Sequence, residues 1–116
     1  MGDLSPHFNR SEFDCHDGTR AHPDPELVDR LELLRAQAGG RPLRIVSGYR
    51  SPTWNAHVHG ARHSQHLYNR AADIPSGYAT IDQALKAGFT GIGFCGRWAV
   101  HLDVREVAKP VVFADC

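Results

Sequence analysis

The sequence predicts an α+β domain, a small, mostly antiparallel sheet flanked by helices, and three observations point to it. Some segments repeat apolar residues at helical spacing, whereas others are short β-rich runs. Gly and Pro punctuate the two kinds of segment, and they mix without the regular βαβ alternation of a doubly wound sheet, the alternative architecture. With 116 residues the chain has room for one domain spanning 1–116 and none for a separate regulatory half.

The first helix follows Asp24-Pro25, a cap and first-turn pair, and carries Leu27, Leu31 and Leu34 on one face, with Gly39-Gly40 beyond its end. The run from Pro42 to Ser47 is β-rich and bounded by Gly40-Arg41 and Gly48, so it reads as a strand. Ser51-Pro52 opens a second helix that runs to about His59 and is ended by Gly60. After a His-rich loop, Ala71 to Ile74 reads as a short buried strand stopped by Pro75. Thr80 caps a helix with Ile81, Ala84 and Leu85 that ends at Gly88. Two more strands, Gly91 to Cys95 and Val100 to Val104, flank a turn at Gly96-Arg97-Trp98.

Composition removes several partners. Thirteen basic residues balance thirteen acidic ones, so the electrostatic footprint of a nucleic-acid binder is missing. No apolar run approaches the roughly 20 residues of a membrane span, so no membrane partner is expected either. The first residues, Met1-Gly2-Asp3-Leu4, show neither a basic nor an apolar leader region, and the expectation is a protein without signal peptide, cytoplasmic until released. Cys15, Cys95 and Cys116 are an odd set without C-x-x-C spacing. They read as buried small side chains or a terminal thiol, with a single bridge as the alternative.

The chemistry gathers around histidine. Of eight histidines, four, His57, His59, His63 and His66, fall within ten residues. His57 and His59 are two apart on a helix and do not face each other, so they are no metal pair. His66 and Asp73, seven apart across a turn, offer the nitrogen and oxygen donors zinc accepts. In His101-Leu102-Asp103-Val104-Arg105, strand alternation places His101, Asp103 and Arg105 on one face and Leu102 and Val104 on the other. Two His and one Asp leave a zinc position open for water, the pattern of catalytic rather than structural zinc.

Three ordered segments, Ser47-Gly-Tyr-Arg-Ser51, Ser64-Gln-His-Leu-Tyr-Asn-Arg-Ala-Ala-Asp73 and His101-Leu-Asp103, resemble the zinc D-Ala-D-Ala carboxypeptidases. More closely, they are similar to the peptidase domain at the C-terminus of bacterial murein hydrolases and phage endolysins, with its S-G-Y-R-S, S-x-H-x-x-G-x-A-x-D and H-x-H or H-x-D pattern. The segments Phe8 to Phe13 and Cys15 to Gly18 resemble that family's opening. Asn69 stands in place of the family glycine, a residue that tolerates a left-handed backbone, and His59 in place of a second one.

The resemblance implies one zinc per chain on His66, Asp73 and His101. It implies that Arg50 pairs with the carboxylate or carbonyl of the substrate, that Ser64 orients His66 or the substrate, and that Asn55 braces the loop. The acid that many relatives carry three residues before the last ligand falls on Trp98 here, which cannot serve. Asp103 is then the general base or the partner of a ligand; in a shifted register Asp103 sits on zinc and His101 is the base. The implied activity is a zinc metallopeptidase acting as a monomer on peptidoglycan peptides, at D-Ala-D-Ala termini or within crosslinks, with a phage lysis protein as one setting. The rival is a non-catalytic module in which zinc stabilises the fold and the cleft binds a wall peptide.

Overall fold

The computed structural model describes residues 2–116; Met1, part of the stretch read for a leader, lies outside the described residues. Helix α1, Pro25–Gln37, begins where the sequence places it, with the Asp24 carboxylate accepting from the Glu26 N–H at 2.9 Å. Its buried face, Leu27, Val28, Leu31 and Leu34, packs into a core shared with Phe8, Phe13, Phe89, Ile92 and Leu102. Helix α2 is Pro52–His57, capped by the Ser51 hydroxyl, which accepts from the Trp54 N–H. It stops two residues earlier than expected, because the chain has already turned left-handed at His59 (φ 55°) before Gly60 is reached. Helix α3, Ile81–Lys86, starts with a reciprocal box between Thr80 and Gln83.

The sheet contains β1 (Ala71–Asp73), β2 (Gly91–Cys95), β3 (Trp98–Asp103) and β4 (Val111–Ala114), in the order β1-β3-β2-β4. β3 pairs antiparallel with β1 and β2, but β4 pairs parallel with β2, so the sheet is mixed rather than mostly antiparallel. β4 has no counterpart among the expected strands. β3 begins at Trp98, which pairs with Cys95, so the connecting turn is only Gly96-Arg97. The predicted face alternation holds: Leu102 and Val104 enter the core, while Asp103 bonds to both His101 and Arg105.

The expected strand from Pro42 to Ser47 is reduced to a single bridge between Ser47 and Asp73. Extending that antiparallel pairing one way would bring Ile45 opposite Pro75, which has no N–H to offer. Extending it the other way would need Gly48 and Tyr49, whose polar groups are already committed, the Gly48 carbonyl to His66 and the Tyr49 N–H to Phe13. Leu43 and Ile45 are nevertheless buried in the core.

The register of β2 against β3 shifts between Gly93 and Phe94, since Gly93 faces His101 and Phe94 faces Ala99. Val100 is the extra residue of this bulge, immediately before His101, and bulges of this kind re-aim the side chains beside them. Its carbonyl is not wasted, for it accepts from the Ile74 N–H at 3.0 Å. The cysteines also resolve: Cys95 and Cys116 form a disulfide, and Cys15 is free and buried. The bridge therefore replaces the reading of all three as unpaired thiols.

At Gly91, opposite Asp103 in the sheet, an added Cβ would lie 2.0 Å from the Asp103 carboxylate. Gly91→Ala should therefore displace a fully buried charged group and lower stability by about 1–3 kcal/mol. A urea midpoint equal to that of the parent would contradict this packing.

Candidate functional site

Three elements meet at one end of β1. A short 3-10 turn, Gln65–Tyr68, carries His66; β1 ends on Asp73; the middle of β3 carries His101. Their donor atoms lie within 4.8 Å of one another, and no other group of three or more His, Cys, Asp or Glu among the described residues converges in this way. His66 Nε2 is 3.2 Å from Asp73 Oδ1, and His101 Nδ1 is 3.1 Å from the same oxygen.

The opposite nitrogens of both rings are already committed. His66 Nδ1 donates to the Gly48 carbonyl at 2.6 Å, a partner that can only accept. Neutral His66 must then turn the lone pair of Nε2 toward Asp73 Oδ1. His101 Nε2 lies 2.8 Å from Asp103 Oδ2, so its proton belongs there and its Nδ1 lone pair faces Asp73 as well. Two imidazole lone pairs and a carboxylate thus point at one place, an arrangement that repels itself until a proton or a cation enters. Two nitrogens and one oxygen, each imidazole held from behind by a carbonyl or carboxylate, make a donor set that fits zinc with a position left for water.

Asp103 is fully buried, and its carboxylate is saturated. Arg105 grips it through Nε at 2.9 Å and Nη2 at 2.6 Å, and the Arg105 N–H adds a bond at 3.1 Å. With His101 on Oδ2, neither oxygen is free to face the convergence point. Asp103 stands behind His101, on the side away from Asp73.

Arg50 does reach the site. Its Nη2 is 3.7 Å from Asp73 Oδ2, and its Nη1 donates to Asn55 Oδ1 at 3.2 Å. Asn55 is buried and donates from Nδ2 to the Ala61 carbonyl, so it braces both the loop and the guanidinium. Ser64 caps the 3-10 turn, its hydroxyl accepting from the His66 N–H at 3.2 Å. Asn69 adopts the left-handed conformation (φ 59°) that closes this turn, and its side chain accepts from the His22 N–H. Trp98 stands at the start of β3 under the Arg97 guanidinium, Tyr49 packs on the core, and Tyr68 is exposed. His57 packs at a tilt against Trp54, with ring centroids 5.1 Å apart.

A cleft of about 340 Å³ opens beside His101, lined by Ala61, His63, Ser64, Gln65, His101, Arg105 and Phe113. No carboxylate is among these residues. Phe113 is not among the residues the sequence singles out, although Val111-Val112-Phe113 after Pro110 is a β-rich run that could have drawn notice.

Electrostatics follow the contacts. Burial pushes the His101 pKa down, but hydrogen bonds to Asp103 and Asp73 outweigh it and lift the imidazolium to about 9. Burial raises Asp73 and Asp103, yet the hydrogen bond and charge of the His101 imidazolium on the first, and bonds from Arg105 and His101 to the second, hold both carboxyls well below the usual range. A proton on His101 is thus what relieves the convergence in the metal-free protein.

The family model described as Peptidase M15 matches residues 5–103. A zinc D-Ala-D-Ala carboxypeptidase of Streptomyces albus G is 37% identical over 86 residues, covering 68% of this chain and 32% of that protein. The chain therefore spans about a third of the length of that relative. β4 lies beyond the matched segment.

Because the folded-state pKa of His101 lies above its ordinary 6.5, the metal-free protein has the full stabilisation below that pH and loses it as the pH rises toward 9. Asp73 and Asp103 act in the opposite sense, stabilising above their ordinary 3.8 and less as the pH falls below it. Thermal midpoints of chelator-treated protein should fall steadily between pH 6.5 and 9, and a flat profile there would contradict the His101 contacts.

Proposed function

The chain belongs to the M15 peptidase family, and from that premise we propose that it is a zinc-dependent peptidase that hydrolyses peptide bonds in peptidoglycan, at a D-Ala-D-Ala terminus or within a crosslink. The observation that carries the reading is the convergence of His66, Asp73 and His101 with both imidazole lone pairs aimed at one point. When bound, zinc supplies a Lewis acid that activates water and polarises a carbonyl.

The rest of the chemistry belongs to the chain. Gly48 and Asp103 hold the two imidazoles in the tautomers that present His66 Nε2 and His101 Nδ1. Asp103 is a positioning residue, acting through His101, and its saturation by Arg105 argues against a role as general base or as a metal ligand in the shifted register. Arg50, fixed by Asn55 beside Asp73, has N–H groups left to bind a substrate carbonyl or terminal carboxylate. Ser64 steadies His66 through its backbone N–H and lines the cleft. A monomer suffices for this function, since the donor set comes from one chain. The Cys95–Cys116 disulfide supports action in an oxidising setting outside the cytoplasm, as a wall-degrading or phage lysis enzyme would meet after release.

One observation favours the second reading, a zinc-stabilised module that binds wall peptides without cutting them: the cleft lining holds no carboxylate to take a proton. Mass spectrometry of peptidoglycan fragments incubated with zinc-loaded protein separates the two. New fragments, absent with His66→Ala, are the expected outcome, and their masses identify the bond. Stoichiometric zinc with no new fragments from several wall types would establish the binding module instead.

Asp103→Asn should weaken zinc binding by about 10–100-fold without abolishing it, the usual consequence of losing the partner behind a ligand. Competition with a chromophoric chelator measures this, and complete loss of zinc would return Asp103 to the metal.

A further inference from the structure

β4 is an unusual strand to keep. Val111 and Val112 are 40% and 41% exposed, and only Phe113 turns partly inward, so the strand adds almost nothing to the core. Yet it is fastened at both ends: the Val111 N–H donates to the Thr90 carbonyl, the Asp115 N–H donates to the Phe94 carbonyl, and Cys116 is bridged to Cys95.

The register shows what is being held. Phe113 lies beside Gly93, and Gly93 lies beside His101, so the three form a row across β4, β2 and β3. Residues two strands apart are normally about 10 Å from each other and separated by the side chain between them. Here the middle residue has no side chain. A Cβ on Gly93 would come within 2.9 Å of the His101 Cβ, and its absence lets the Phe113 and His101 rings meet with centroids 5.5 Å apart. The Arg105 guanidinium lies over the Phe113 ring, its central carbon 5.5 Å from the centroid, and the ring forms one wall of the 340 Å³ cleft. Ala61 is the other apolar residue of that lining, and the rest are polar or charged.

We propose that Phe113 is a specificity-determining residue whose ring packs against the aliphatic side chain of the substrate residue next to the scissile bond, with the Cys95–Cys116 bridge holding it against the cleft. The inference rests on the peptidase reading and adds to it a residue outside the segment matched by the family model. An aromatic wall that rests on a proposed metal ligand places its apolar face within reach of whatever peptide the site engages. It favours a methyl-bearing residue over glycine, because glycine offers that face of the ring no carbon to pack against.

The test compares an N-acetylated stem peptide ending in D-Ala-D-Ala with its analogue ending in Gly-Gly. Zinc-loaded parent should prefer the D-Ala peptide by about tenfold or more in kcat/KM, the range expected for methyl recognition. Phe113→Ala should erase most of that preference, mainly through a higher KM, at unchanged zinc content; Phe113→Leu should restore much of it. Cys116→Ser, which leaves the ring intact but frees its strand, should shift KM in the same direction by less. An unchanged preference in Phe113→Ala, or a change that appears only together with loss of zinc, overturns the proposal. Should the parent cut neither peptide, the peptidase reading fails on its own. Calorimetric Kd values for the same two peptides then decide Phe113: equal discrimination in parent and Phe113→Ala, or no binding to the parent, overturns the proposal.

Discussion

The structure turns on a repulsion. His66 and His101 each have one nitrogen tied to an acceptor, Gly48 O and Asp103 Oδ2, so their remaining lone pairs are driven toward the Asp73 carboxylate. Much of the surrounding fold exists to keep that arrangement in place. Phe13, buried in the core, accepts from the Tyr49 N–H and so sets the loop that presents the Gly48 carbonyl. Arg105 compensates the charge of Asp103, which would otherwise be costly in a site with no solvent contact. The absence of a side chain at Gly91 gives that carboxylate its space.

Much of this was legible in the sequence, for definite reasons. Asp24-Pro25 and Thr80 with Gln83 are local signals, complete within a few residues, and the helices begin where they stand. Strand alternation alone put His101, Asp103 and Arg105 on one face, and the ordered segments around Arg50, His66 and Asp73 singled out residues that the fold brings together. Asn69 in the left-handed conformation is the accommodation expected of asparagine at a glycine position.

What stayed hidden depends on contacts between distant segments. Nothing local to Pro42–Ser47 says that its ladder would run into Pro75 on one side and into the commitments of Gly48 and Tyr49 on the other. β4 is a four-residue edge strand whose parallel partner, β2, lies two strands back in the chain with β3 between them, so its pairing leaves no trace in its own pattern, and the pairing of Cys95 with Cys116 depends on that same placement. The two readings of Asp103, base or partner of a ligand, differ only in which side of His101 it occupies. That is a matter of three-dimensional placement, and the grip of Arg105 on both carboxylate oxygens is the contact that supports the second reading.

The most direct test of the central claim is zinc K-edge X-ray absorption on protein loaded with one equivalent of zinc. The account predicts a shell of nitrogen and oxygen at roughly 2.0–2.2 Å with the outer scattering of two imidazoles, as His66, Asp73 and His101 would produce. A sulfur at roughly 2.3 Å, a single imidazole, or failure to retain one zinc would contradict it.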